Sequence, residues 1–281
     1  MSFTTLITAD QLRAAGGGPV IVETSFDLAD ANAGEAGWRE AHVPGSFYGH
    51  LDRDLSGPKT GTNGRHPLPE RSAFAATLAR WGVTPAKQVV ALDRQGGMFA
   101  ARLWWMLRWM GHANVAVLDG GVAAWTAAGG ALTANPTPRA PETPPYPQRA
   151  TLAKTIDAAA LQAQLGRVPL IDARAGERFR GEVEPLDPAA GHIPGALNRF
   201  FKDNLDPATG RFKPAAQLRA EFTALLGPQA AQGTVHQCGS GATACHNLLA
   251  MEHAGLAGSV LYPGSWSEWC ADPSRPVALG A

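Results

Sequence analysis

The sequence predicts an α/β protein of two tandem domains, each a parallel sheet with helices on both faces. Three observations carry this prediction. Short apolar runs alternate with helical stretches along the chain, the pattern of strand–helix–strand units. Three motifs recur in the same order in both halves. A proline-rich stretch parts the two halves.

The first half holds three buried-strand candidates, Val20-Ile21-Val22, Val89-Val90-Ala91-Leu92 and Val115-Ala116-Val117-Leu118. Continuous apolar runs of this length suit strands covered on both faces. Helices are expected over Phe74 to Trp81 and Ala100 to Met110. The aromatic run Arg102 to Met110 reads as a core helix or as the seam between domains. The second half repeats the pattern with Leu170-Ile171, Thr234-Val235 and Val260-Leu261.

The repeat is explicit. Ala41-His42-Val43-Pro44-Gly45 matches Gly191-His192-Ile193-Pro194-Gly195, with the histidines 150 positions apart. The run ending at Asp93 matches the run ending at Cys238, 145 apart. Leu118-Asp119-Gly120-Gly121 matches Tyr262-Pro263-Gly264-Ser265. Near-constant spacing means duplicated domains. His42 and His192 occur in both halves, so they read as structural turn residues. The predicted domains are 1–133 and 151–281, with 134–150 as a semi-rigid linker whose prolines forbid a helix or central strand.

At 281 residues the chain is long enough for two ordinary domains. Hydrophobic content of 45% and charged content of 17% fit a globular protein with a real core. A formal net charge of zero gives no broad attraction to nucleic acid or anionic membrane. No apolar run reaches the roughly 18 residues of a membrane span. The N-terminus has no signal-peptide pattern. Three cysteines, Cys238, Cys245 and Cys270, argue against a disulfide framework and for a reducing, cytoplasmic setting.

Chemistry concentrates at Thr234-Val235-His236-Gln237-Cys238-Gly239-Ser240-Gly241-Ala242-Thr243-Ala244. A strand ends at a cysteine, a loop with two glycines follows, and a helix begins. Backbone N–H groups and a helix N-terminus then face one sulfur. Such settings stabilise a thiolate and lower thiol pKa values from about 8.5 to roughly 3.5–7.5. Cys238 therefore reads as a reactive thiol. Cys245 reads as a core thiol. Cys270 reads as structural, with a redox role left open. The spacing of Cys245, His246 and His253 fits no zinc pattern.

Cys238-Gly239-Ser240-Gly241-Ala242-Thr243-Ala244 resembles the active-site loop of rhodanese-like sulfurtransferases, and most of all the loop of their 3-mercaptopyruvate branch. The thiosulfate-using branch tends to carry basic residues where this chain has Gly239 and Ser240. The resemblance covers nearly the whole chain and implies two tandem rhodanese-like domains. It implies a sulfurtransferase that carries sulfane sulfur as a Cys238 persulfide, held by the loop residues Gly239, Gly241, Ala242, Thr243 and Ala244. It places a substrate-binding arginine at Arg178 and leaves the branch's second arginine missing at Glu184-Pro185-Leu186-Asp187, with Arg180 or Arg199 as stand-ins. It makes Ser240, His66 and Asp52 a proton relay. Asp93 stands at the cysteine's place in the first domain and cannot carry sulfur, so that domain is expected to be catalytically silent. No metal or cofactor is implied. The implied partners are a small donor, 3-mercaptopyruvate or thiosulfate, and a thiol acceptor such as thioredoxin. A thiosulfate sulfurtransferase is the alternative, and a non-catalytic sulfur-carrying module is a further one. A cysteine phosphatase fits less well, because its loop would end on an arginine and this one ends on Thr243-Ala244.

Overall fold

The computed structural model describes residues 2–16, 18–140, 142–227 and 232–281. Met1, at the N-terminus read above, and Pro141, in the linker, lie outside them. The chain divides into two compact units. One comprises Met1–Gly57, Pro69–Leu152 and Pro207–Arg211; the other comprises Pro58–Leu68, Ala153–Asp206 and Phe212–Ala281. The units thus do not follow chain order strictly: Pro58–Leu68 belongs to the second unit and Pro207–Arg211 to the first.

The first unit runs β1 (Leu6–Ile7), α1 (Ala9–Ala14), β2 (Val20–Glu23), α2 (Ala33–Glu40), β3 (Phe47–Tyr48), α3 (Arg71–Arg80), β4 (Val89–Leu92), α4 (Ala100–Trp109), β5 (Val115–Leu118) and α5 (Gly121–Ala127). Its strands form one sheet in the order β1-β5-β4-β2-β3. All pairings are parallel. Every residue of β4 and β5 is buried. Side chains alternate across a strand, so both faces must be covered. Val90, Leu92, Ala116 and Leu118 pack on one face with Leu12 of α1 and Val122 of α5. The aromatic run is a core helix: Arg102 through Leu107 of α4 are buried. The linker has no helix or strand among its described residues. It lies against its own unit, where the Thr137 hydroxyl donates to Ser46 O at 2.7 Å and Thr143 to Ala79 O at 3.1 Å.

The second unit runs β6 (Lys154–Thr155), α6 (Ala158–Ala163), β7 (Leu170–Asp172), α7 (Gly176–Phe179), β8 (Ala196–Asn198), a 3-10 turn (Phe201–Asn204), α8 (Ala215–Leu226), β9 (Val235–Gln237), α9 (Ala244–His253), β10 (Val260–Leu261) and α10 (Ser265–Trp269). Its sheet has the same order and sense, β6-β10-β9-β7-β8, all parallel. Tyr262, Trp266, Trp269 and Val235 anchor its core.

The repeated histidines serve the same structural purpose in both units. His42 Nδ1 meets Trp38 O at 2.7 Å and its ring stacks on Trp38; His192 Nδ1 meets Phe179 O at 2.8 Å and stacks on Phe179. Each also makes an antiparallel bridge to a late segment of its unit, Thr133 or Ala278. Among the described residues no helix is long and apolar enough to cross a membrane.

Candidate active site

The register of the second sheet assembles the site. Asp172 pairs with Gln237 across β7 and β9, and Leu261 of β10 pairs with His236. All three strands end at one level, so three loops open at the same carboxyl edge, where ligands bind in such sheets. They are the loop after Asp172, the loop of Cys238 and the turn before α10.

Cys238 is buried at the end of β9. Its sulfur accepts the Gly241 N–H at 3.1 Å. Gly241 has φ +78°, and a side chain there would strike Pro263 O, so this turn requires glycine. The Cys238 backbone is clamped from the third loop. Its N–H donates to Ser265 Oγ at 3.1 Å, Ser265 Oγ donates to Tyr262 O at 3.0 Å, and Trp266 N–H donates to Cys238 O at 2.9 Å. Ser265 itself has φ +54°, a left-handed conformation rare outside glycine. Sequence reading missed Ser265. The signal was present, since the first half has Gly121 there, at φ +56°.

Ser240 and His66 come together in the second unit, both buried, with Ser240 Oγ 2.6 Å from His66 Nδ1. His66 arrives on Pro58–Leu68, which sequence order had assigned to the first domain. Gly64 makes the approach possible: at φ +83°, a Cβ on it would lie 2.8 Å from Gly264 O. The Arg65 N–H then donates to Ser267 Oγ at 3.0 Å. Asp52 belongs to the first unit, where its N–H donates to His50 Nδ1 at 3.1 Å.

Three arginines stand on the Cys238 side of the second unit. Arg174 is buried, donates to Asp172 at 2.7 Å and to Gly191 O at 2.6 Å, and lies over Trp266. Burial alone would lower its pKa, but Asp172 and Glu184 more than offset that and raise it. Arg178 donates to Glu184 at 2.6 Å and to Asp187 at 3.2 Å. Arg65, which sequence reading passed over, pairs with the other oxygen of Asp187. A Cβ built on Gly239 would lie 2.8 Å from Arg65 Nη2 and 3.4 Å from Arg178 Nη1, so both cations end beside the residue after Cys238. The two stand-ins are engaged elsewhere: Arg180 with Glu182 at 2.6 Å, Arg199 with Glu221 at 2.5 Å. Cys245 is buried with its thiol on Gly241 O at 3.4 Å; Cys270 is buried and its pKa is raised, chiefly by that burial. All three cysteines are free thiols.

A buried, free thiol in a glycine loop, with a hydroxyl–imidazole pair and two arginines beside it, is the set of groups that an enzyme of the nucleophilic-cysteine class requires. Comparison with known proteins narrows this. The chain matches the rhodanese-like domain family over residues 8–128 and 155–272. It is 49% identical to a probable 3-mercaptopyruvate sulfurtransferase of Pseudomonas aeruginosa, with 100% of each chain covered. It is 36% identical to a putative thiosulfate sulfurtransferase of Mycobacterium tuberculosis, over 98% of this chain and 97% of that one. The crystal structure of a 3-mercaptopyruvate sulfurtransferase of Escherichia coli superposes with a TM-score of 0.78 at 28% identity, covering 95% of this chain and 100% of the other. The chain belongs to the rhodanese-like family and is a sulfurtransferase.

Proposed function

We propose that this enzyme takes sulfur from 3-mercaptopyruvate, carries it as a persulfide on Cys238 and passes it to a thiol or to cyanide, releasing pyruvate. The observation that carries the reading is the 2.6 Å contact of Ser240 Oγ with His66 Nδ1, two residues from the nucleophile. The Cys238 thiolate attacks the donor's sulfur, the donor's C–S bond breaks, and its electron pair becomes the enolate of pyruvate. The proton that leaves the donor's thiol must end on that carbon. A hydroxyl bonded to an imidazole can move it, because histidine titrates near neutral pH. For Asp52 the proposed role is that of the relay's acid, and Asp52→Asn should lower kcat with this donor. The loop N–H groups of Gly239, Gly241, Ala242, Thr243 and Ala244 are proposed to hold the persulfide's charge. An acceptor thiolate, of a small thiol or of thioredoxin, then attacks the outer sulfur and frees Cys238, giving ping-pong kinetics.

A second reading, thiosulfate as donor, is favoured by the paired arginines at Gly239, which suit a dianion. Sulfite leaves without needing a proton, so that reading gives Ser240 and His66 no task. Side-by-side kcat/KM values for the two donors decide: faster turnover of 3-mercaptopyruvate is expected, and faster turnover of thiosulfate would refute the proposal.

A further inference from the structure

We infer that Arg65 is a second substrate-gripping residue, binding the donor's carboxylate together with Arg178. The inference rests on the donor reading above and extends it to a residue outside the Cys238 loop and the segment after β7.

The geometry is specific. Arg65 and Arg178 flank one carboxylate, with Asp187 Oδ1 on Arg65 and Oδ2 on Arg178. The acids behind the pair are covered: side-chain exposure is 2% for Asp187 and 3% for Glu184. The cations are not: Arg65 retains 26% and Arg178 18%. An anion arriving at this corner therefore meets guanidinium edges, and the balancing carboxylates lie out of its reach. Each guanidinium has five N–H donors, more than Asp187 and Glu184 consume, and a planar fork suits a carboxylate.

The position is equally constrained. The Arg65 main chain is pinned by its N–H bond to Ser267 Oγ, at 3.0 Å, on α10. Its Nη2 comes to 2.8 Å from the Cβ that Gly239 lacks. Gly239 has no positive φ, so its missing side chain is not a backbone requirement. What glycine provides there is room for Arg65 one residue from the nucleophile. Arg174, the third cation, is sealed by Asp172 and Gly191 and has 1% side-chain exposure, which leaves it no face for a ligand.

The test is steady-state kinetics of the full chain with 3-mercaptopyruvate, comparing the unsubstituted protein with R65Q, R65K, R178Q, the R65Q/R178Q pair and G239A. Loss of one charge-assisted grip should raise KM about 10- to 100-fold in R65Q, with kcat falling by a smaller factor. R65K should recover part of the loss. G239A, which pushes on the Arg65 guanidinium without touching its charge, should shift KM in the same direction. A positioning role through Asp187 and Arg178 predicts that the double variant equals R178Q. Direct gripping predicts a further rise over R178Q, of a size that need not equal the R65Q factor because the two arginines share Asp187. An R65Q KM within twofold of the unsubstituted protein, or a double variant no worse than R178Q, overturns the inference. The donor reading fails separately: if the unsubstituted protein uses thiosulfate instead, the same variants are measured with that dianion. There a drop in R65Q kcat/KM still supports an anion grip, and no drop overturns it.

Discussion

The two units build the same strand–loop–helix corner and fill it differently. In the first, Asp93 closes β4, and its carboxylate accepts four backbone N–H groups: Gln95 and Gly97 on Oδ1, Phe99 and Ala100 on Oδ2, at 2.8–2.9 Å. In the second, Cys238 closes β9, and its sulfur accepts Gly241 N–H at 3.1 Å. Residues 94–99 separate Asp93 from α4, whereas residues 239–243 separate Cys238 from α9, so the first loop is one residue longer. The cradle at the end of such a strand is an anion site by construction. The first unit supplies the anion from its own chain and saturates the site. The second supplies a thiol, the group proposed above to take up a charged sulfur. This gives the expectation of a catalytically silent first unit a physical basis: its loop is occupied and carries no thiol.

The sharpest test of the comparison removes the thiol. Cys238→Ser should abolish sulfur transfer, and mass spectrometry after donor treatment should find the added sulfur on Cys238 of the unsubstituted protein. Cys245→Ser and Cys270→Ser should keep most activity. Moving the thiol, in the double variant Cys238→Ser with Asp93→Cys, should not restore it, because the longer loop has no Ser240–His66 pair. Transfer by that variant, or persulfide mainly on Cys245 or Cys270, would break the comparison.

Next in size is the relay. Ser240→Ala and His66→Ala should each slow 3-mercaptopyruvate turnover by about 10²–10⁴, the usual worth of general acid–base catalysis. Thiosulfate turnover should change little. Equal losses with both donors would show that the pair serves the loop's shape and not proton transfer.

The occupied loop makes a stability prediction. Asp93→Ala leaves four N–H groups without their carboxylate, and should lower unfolding free energy by about 3 kcal/mol or more. Denaturant melts of the full chain would show it as an earlier transition of the first unit. An unchanged melt would mean the carboxylate is not what holds that loop.

The smallest effect lies beside the reactive loop. His236 on β9 is fully buried, and burial pushes its pKa down to about 3. The unfolded chain takes up this proton near pH 6.5, the folded chain only near 3. Between these values the unfolded state binds more protons, so stability rises with pH and is lost as pH falls from 6.5 toward 3. The penalty should be about 2 kcal/mol at pH 5. His236→Gln should flatten the dependence of the melting temperature between pH 7 and pH 5. The same slope in both proteins would assign the acid sensitivity elsewhere, for example to His112, whose burial also lowers its pKa.

Much of this protein was legible in its sequence. Apolar runs such as Val89–Leu92 and Val115–Leu118 declare strands covered on both faces, because only such strands need no polar side. The duplicated His–x–Pro–Gly turns and the Asp93/Cys238 register declare the repeat. Cys238 in its glycine loop declares the candidate nucleophile. These features are local: they depend on neighbours within a few residues along the chain. Tertiary structure alone decided the rest. It took Pro58–Leu68 out of chain order and set Arg65 against Gly239, and it brought His66 to Ser240 across 174 residues, a pairing that only the family resemblance had implied. It put Ser265 in a left-handed turn under the Cys238 amide. Such pairings follow from strand register and from where glycines let two backbones approach, and neither leaves a periodic trace in the sequence. The local pattern therefore points to the proposed nucleophile, while the groups proposed to bind and protonate its substrate are brought to it by the closure of distant loops.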